Sequence, residues 1–227
     1  MKTVSAIVPC YNYGIYLDSV INNIRSQVYR PSEIIVVDDG STELLTIEKL
    51  SGLKHENVEV ITTKNHGPAA ARNRAFEKSK GDYLLLQDAD DFFHESFVEK
   101  AVDVLNNNPR IAAVSSWTLC FGDEDYIWYP QGGTIGNFLN STTCPACALV
   151  RREAWVESGG FDESFRVGYE DWDFWIRITK NNWLVYIIPE LLFYYRQKPS
   201  SRVKETFARH EEIYKVIRSK HPDVFNQ

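Results

Sequence analysis

A chain of 227 residues with 44% hydrophobic and 13% aromatic side chains carries enough apolar material for a substantial core, which excludes a disordered polymer. Its formal charge of −6, from 25 basic and 31 acidic residues, lacks the basic footprint of a phosphate binder, so no nucleic-acid partner is expected. No run of about eighteen apolar residues is present to span a membrane, and Met1-Lys2 leads into a strand-like segment without a signal-peptide pattern.

The first hundred residues alternate strand and helix. Residues 3–9 (TVSAIVP) read as a strand, and residues 15–28 place Leu17, Val20, Ile21, Ile24 and Val28 at helical spacing. Residues 33–41 (EIIVVDDGS) form an apolar run that ends in acids and a glycine. A short helix with Leu44, Ile47 and Leu50 follows, then the strand 58–61. Gly67-Pro68 opens the alanine-rich helix 69–79, proline being suited to a first turn whose N–H has no partner. Residues 83–87 (YLLLQ) are the fourth strand, and Phe97, Val98, Ala101, Val102 and Leu105 mark another helix. Unbroken apolar strands are buried on both faces, so an α/β/α sandwich with a mostly parallel sheet is expected.

After residue 110 the alternation breaks. Residues 111–150 read as β-rich, with a hairpin around Gly122-Asp123-Glu124-Asp125, followed by a helix over 169–180, short strands at 184–188 and 191–195, and a tail helix over 203–219. No linker separates the halves. One domain over 1–227 is expected, divided near residue 110. Cys144-Pro-Ala-Cys147 has half of a zinc pattern but no second ligand pair, so the four cysteines read as packing residues of a reducing compartment. A cytoplasmic location is expected, with attachment to the inner face of a membrane left open.

Ligands of an open parallel sheet bind beyond the carboxyl ends of its strands. Those ends carry Pro9-Cys10-Tyr11-Asn12, Asp38-Asp39-Gly40-Ser41, Asn65-His66-Gly67 and Asp88-Ala89-Asp90-Asp91. Neither the G-x-G-x-x-G fingerprint nor a phosphate-binding G-x-x-x-x-G-K-[ST] loop is present. A diphosphate would then be neutralised by a divalent cation on carboxylates, Mg2+ or Mn2+ being the hard ions that take such ligands.

In this order and spacing, IVPCYN, EIIVVDDGS, GPAAARNRA and GDYLLLQDADD resemble glycosyltransferase family 2, of the GT-A fold, and the likeness continues through CALVRREAWVESGGFDE and YEDWDFWIR. The resemblance implies a metal-dependent inverting transferase, hexosyl or N-acetylhexosaminyl, that moves a sugar from a nucleotide donor to a glycan, lipid-linked or protein acceptor. It implies that Pro9, Tyr11, Asn12, Asp39, Arg72, Asp88 and Ala89 bind the donor, with Asp39 accepting the N3–H of uracil and Arg72 facing the nucleotide or its phosphates. Asp90 would ligate Mn2+ or Mg2+. Asp91 reads either as a second acid of the site or as an N-cap of the next helix.

Glu170, Asp171 and Asp173 suit a helix first turn on dipole grounds alone. The resemblance makes Asp171 the catalytic base, which would take the proton of the acceptor hydroxyl, with Glu170 and Trp172 at the acceptor. Arg196, Lys198 and Arg202 would add positive charge over the diphosphate. The chain departs from many such sequences in having no histidine between His94 and His210 to complete a metal shell. A pyrophosphorylase or D-x-D phosphatase would need loop sequences that are absent here. The remaining alternative is a silent nucleotide-sugar or glycan binder.

Overall fold

The computed structural model describes residues 1–54, 57–166, 168–199 and 206–225. The alternating half folds as β1 (Val4–Cys10), α1 (Gly14–Arg25), β2 (Glu33–Asp38), α2 (Leu44–Leu53), β3 (Glu59–Thr62), α3 (Pro68–Lys78), β4 (Tyr83–Leu86), β5 (Phe92–Phe93) and α4 (Phe97–Asn107). The second half supplies β6 (Ile111–Gly122), β7 (Tyr126–Trp128), α5 (Ile135–Phe138), β8 (Ala148–Arg151), α6 (Arg152–Ser158) and α7 (Glu170–Lys180). It ends with β9 (Leu184–Gln197), α8 (His210–Lys220) and α9 (Pro222–Phe225).

Both halves feed one sheet, in the order β3-β2-β1-β4-β8-β6-β9-β5, with β7 beside β6. The expected α/β/α layering follows from side-chain alternation. Val4, Ala6 and Val8 join Ile34, Val36, Tyr83 and Leu85 in one apolar layer, which Leu17, Val20, Ile21 and Ile24 of α1 and Phe97 and Ala101 of α4 cover. Ile7, Ile35, Val37, Leu84 and Leu86 face the opposite layer, with Ala69, Ala71 and Ala75 of α3, Trp172, Phe174, Trp175 and Ile176 of α7 and Ile213 and Ile217 of α8. A strand covered on both faces takes apolar side chains except where a polar one finds a partner, as the buried Ser5 of β1 does on Glu33.

The sheet is mixed, its parallel strands lying largely in the alternating half. β1 to β4 are parallel, but β8 runs antiparallel between β4 and β6, and β5 antiparallel to β9. The 184–197 segment is one strand, not two. Its Pro189-Glu190 step, which reads as a break, is absorbed as a register shift where Ile188 pairs with Ser116 and Leu191 with Trp117. The hairpin at 122–126 forms, the Gly122 N–H donating to Asp125 Oδ1 at 3.1 Å. α1 stops at Arg25, leaving Val28 exposed, and α2 buries Thr46, Leu50 and Leu53 while Leu44 and Ile47 face outward.

Two glycines set the geometry below the site. Gly67, at φ +91°, turns the chain into α3 in a conformation disfavoured for other residues. Gly14 lets α1 approach α2 so closely that a Cβ there would lie 2.5 Å from Thr46 Cα.

Candidate active site

The carboxyl ends of β1, β2 and β4 lie side by side, because these strands are parallel and adjacent. At the first, Asn12 adopts φ +55°, a left-handed turn that asparagine tolerates. Its Oδ1 accepts the N–H groups of Thr42 at 2.8 Å and Glu43 at 3.0 Å, so the side chain expected at the donor also caps the entry to α2. Tyr11 is exposed, and Pro9 sits half-buried at the strand end.

Asp39 is buried, and each carboxylate oxygen accepts a backbone N–H, from His66 at 2.8 Å and Gly67 at 2.8 Å. It therefore pins the turn that opens α3. The Thr63 hydroxyl adds a long third bond to Oδ1 at 3.5 Å, and since a carboxylate offers about four acceptor positions, capacity for one ligand donor remains.

The acidic run after β4 divides its carboxylates among three partners. Asp88, half-buried, pairs with Arg72 Nη2 at 2.6 Å. Ala89 is buried. Asp90 Oδ2 lies 2.6 Å from Lys198 Nζ, and burial pushes its carboxyl up against the pull of that ammonium. Asp91 is fully buried, and its Oδ1 accepts the Arg196 backbone N–H at 2.9 Å. Burial raises its pKa well above the carboxylate range, and the charges of Asp90 and Asp88 raise it further. The N-cap reading of Asp91 is corrected: Ser96 precedes α4, and Asp91 instead ties the loop to the end of β9.

Arg72 was expected to face the nucleotide. Its guanidinium is instead buried beneath the site, 2% exposed, with Nη1 on Glu170 at 3.0 Å and the Phe161 ring 5.2 Å away. Burial opposes its charge, but Asp88 and Glu170 hold its pKa above the ordinary value. One cation thus joins the β4 loop to the start of α7.

Asp171 follows Glu170 in the first turn of α7, after Tyr169 at φ +59°. Its Oδ1 accepts the Trp172 N–H at 2.8 Å. Burial first, then the Glu170 charge, push this carboxyl up to about 7, while Arg72 pulls the other way. Trp172 is corrected from acceptor platform to core: it is 1% exposed, its Nε1 donates to the Phe138 carbonyl at 2.6 Å, and its ring stacks on Tyr214 at 5.4 Å. No face of that ring is left for a sugar. Asp173 is buried between Arg177 and His221, each at 2.8 Å.

Of the C-terminal cations, Arg196 lies over the rings of Phe121, Tyr16 and Phe92, at 4.6, 4.8 and 5.5 Å, while its Nε donates to the Asp90 carbonyl at 3.1 Å. Arg202 lies outside the described residues. The residue that sequence reasoning missed is Cys147. Its Sγ accepts the Asp88 N–H at 3.4 Å, and its donor atom lies within 4.8 Å of carboxylate oxygens of both Asp88 and Asp91. Cys147 directly precedes β8, and only the insertion of β8 beside β4 brings it there, a pairing without local sequence signal.

The donor set fits a hard divalent cation. Three carboxylates sit at one strand end, and their mutual repulsion is what an added positive ion relieves. Among the described residues, the ligand atoms grouped closely enough for an ion are those of Asp88, Asp91 and Cys147, while Asp90, the expected ligand, has its carboxylate on Lys198.

Comparison with known proteins agrees with this architecture. The chain is 31% identical over 193 residues to an uncharacterized glycosyltransferase of Rickettsia bellii, covering 83% of this chain and 28% of that one. It is 36% identical over 123 residues to an uncharacterized glycosyltransferase of Haemophilus influenzae, covering 53% of this chain and 49% of that one. The chain thus spans less than half the length of these two curated relatives. Its fold matches Staphylococcus aureus TarS 1–349 in complex with UDP, with a TM-score of 0.73, 21% identity and coverage of 95% of this chain and 65% of that chain. It also matches the mannosyltransferase PcManGT of Pyrobaculum calidifontis in complex with GDP-Man and Mn2+, with a TM-score of 0.67, 21% identity and coverage of 92% and 61%. The family model for glycosyl transferase family 2 matches residues 5–157, two thirds of the chain, which therefore belongs to that family.

Proposed function

We propose that the chain is the catalytic unit of a metal-assisted inverting glycosyltransferase, moving a sugar from a nucleotide donor, UDP-linked on this reading, to a hydroxyl of a glycan, lipid-linked or protein acceptor. The observation that carries it is the buried Arg72, which joins Asp88 at the donor end to Glu170 beside Asp171. A carboxyl held near neutrality within reach of a donor site is suited to general-base work.

On this reading the nucleotide base lies between Tyr11 and Asp39, with Pro9 below, and Asp88 meets ribose or sugar hydroxyls. Asp171 takes the acceptor proton as that oxygen attacks the anomeric carbon in line. The bond from that carbon to the diphosphate breaks, and the departing charge is met by Lys198 and the α3 end of the site. A Mn2+ or Mg2+ ion at Asp90 would supply Lewis-acid stabilisation of the leaving diphosphate. The structural relatives bound to UDP and to GDP-Man with Mn2+ support the donor class. No helix among the described residues is long and apolar enough to cross a membrane.

Calorimetry with UDP and GDP, with Mn2+ or with EDTA, tests the reading. UDP is expected to bind in Mn2+, to bind far more weakly in EDTA, and to outcompete GDP; Asp90→Asn is expected to lose the Mn2+ dependence. Equal UDP affinity in EDTA overturns the metal, and a preference for GDP overturns the role of Asp39. Slow release of UDP from a UDP-sugar, absent in Asp171→Asn, separates a transferase from a silent binder.

A further inference from the structure

Lys198 follows the last residue of β9, and its ammonium rests on the Asp90 carboxylate. The same nitrogen hydrogen-bonds the Tyr13 hydroxyl and lies 3.7 Å over the Tyr13 ring, with about a fifth of the side chain exposed. The ammonium therefore stands in the place where a divalent cation on Asp90 would sit. A magnesium-sized ion bonds a carboxylate oxygen at about 2.0–2.1 Å. An ammonium and a dication on one oxygen would be in near contact with like charge, so the two cannot share Oδ2.

The backbone before Lys198 is pinned, whereas its side chain is held only at the ammonium, by Asp90 and Tyr13. Two residues earlier, Arg196 is held by its N–H on Asp91, by Nε on the Asp90 carbonyl and by three aromatic rings. Lysine, by contrast, carries its charge on a flexible four-carbon stem with rotatable donors. The ammonium can leave Asp90 without moving β9, but it needs another anion, and an entering diphosphate is that anion.

We infer that Lys198 is a resident cation of the Asp90 position, exchanged for a divalent ion when a nucleoside diphosphate arrives to receive the ammonium. This rests on the metal-assisted reading above and adds coupling to it: metal alone competes with Lys198, whereas metal with diphosphate does not. Linkage makes the effect reciprocal, so each ligand tightens the other by the same factor.

The test is Mn2+ binding followed by the electron paramagnetic resonance of the free ion, with and without UDP, in the wild type, Lys198→Met, Lys198→Gln and Asp90→Asn. The wild type is expected to bind Mn2+ weakly alone and at least about tenfold more tightly with UDP. Both Lys198 variants are expected to bind Mn2+ alone at least about tenfold more tightly than the wild type, with a smaller enhancement by UDP. Wild-type Mn2+ affinity and an unchanged UDP enhancement in the Lys198 variants overturn the exchange. Retention of Mn2+ binding in Asp90→Asn overturns the metal assignment itself, a result distinct from failure of the exchange.

Discussion

Asp171 feels two effects of one burial. In the unfolded chain its carboxyl titrates near the ordinary value of 3.8, and in the fold near 7. In the proposed role of base it must be ionised, so transfer is expected to fall as pH drops through about 7. Asp171→Asn keeps the shape but cannot take a proton. It should lower kcat at least about a hundredfold with the donor Kd nearly unchanged, which steady-state kinetics and calorimetry measure together. The stability effect has the opposite sign. Between about pH 4 and pH 7 the folded state holds the extra proton, so the stability tied to this group is present at low pH and lost as pH rises. Asp171→Asn is thus expected to melt above the wild type at pH 8, the gap closing towards pH 4. At this scale the sequence revealed which residue types gather at the strand ends. It did not reveal their partners: Arg72 on Glu170 and Cys147 on Asp88 join residues 98 and 59 positions apart. No local pattern encodes such pairs.

Among the elements, α7 shows where periodicity stops informing. Its helical spacing is legible, but residues 172 to 176 are all buried, so the pattern cannot say which acid faces the site. Asp173 looks like a first-turn acid interchangeable with Asp171. The structure gives it a different task, clamping Arg177 and the buried His221 at the start of α9. Asp173→Asn is expected to cost about 3 kcal/mol, the lower range for breaking a buried pair, and to lower the Tm by roughly 6–12 °C in thermal unfolding. Transfer per folded molecule should stay near wild type, in contrast to Asp171→Asn. β9 illustrates the reverse error, because a proline that reads as a strand break is accommodated by a shift in register.

The whole molecule depends on one sheet that takes strands from both halves, and on Arg72 crossing between them. Arg72→Met removes a buried cation from between two carboxylates and is expected to cost about 3–5 kcal/mol. Arg72→Lys should recover part of that stability but less of the activity, since an ammonium lacks the fork that reaches Asp88 and Glu170 together. Urea unfolding and transfer kinetics on the same preparations measure the two losses. The layered architecture was legible because buried strands and amphipathic helices leave local periods. The strand order was not, because nothing within residues 148–151 announces that they will lie beside β4.

That insertion of β8 bears on recombination between relatives. A crossover near residue 110, where the alternating pattern ends, would separate β4 from β8 and bring a foreign residue into the place of Cys147. Moving the crossover beyond Ser158 keeps that contact but leaves Arg72 facing an unfamiliar partner in place of Glu170. A hybrid that keeps this network intact takes Arg72, Cys147 and Glu170 from one parent, which no single crossover between residues 73 and 169 allows.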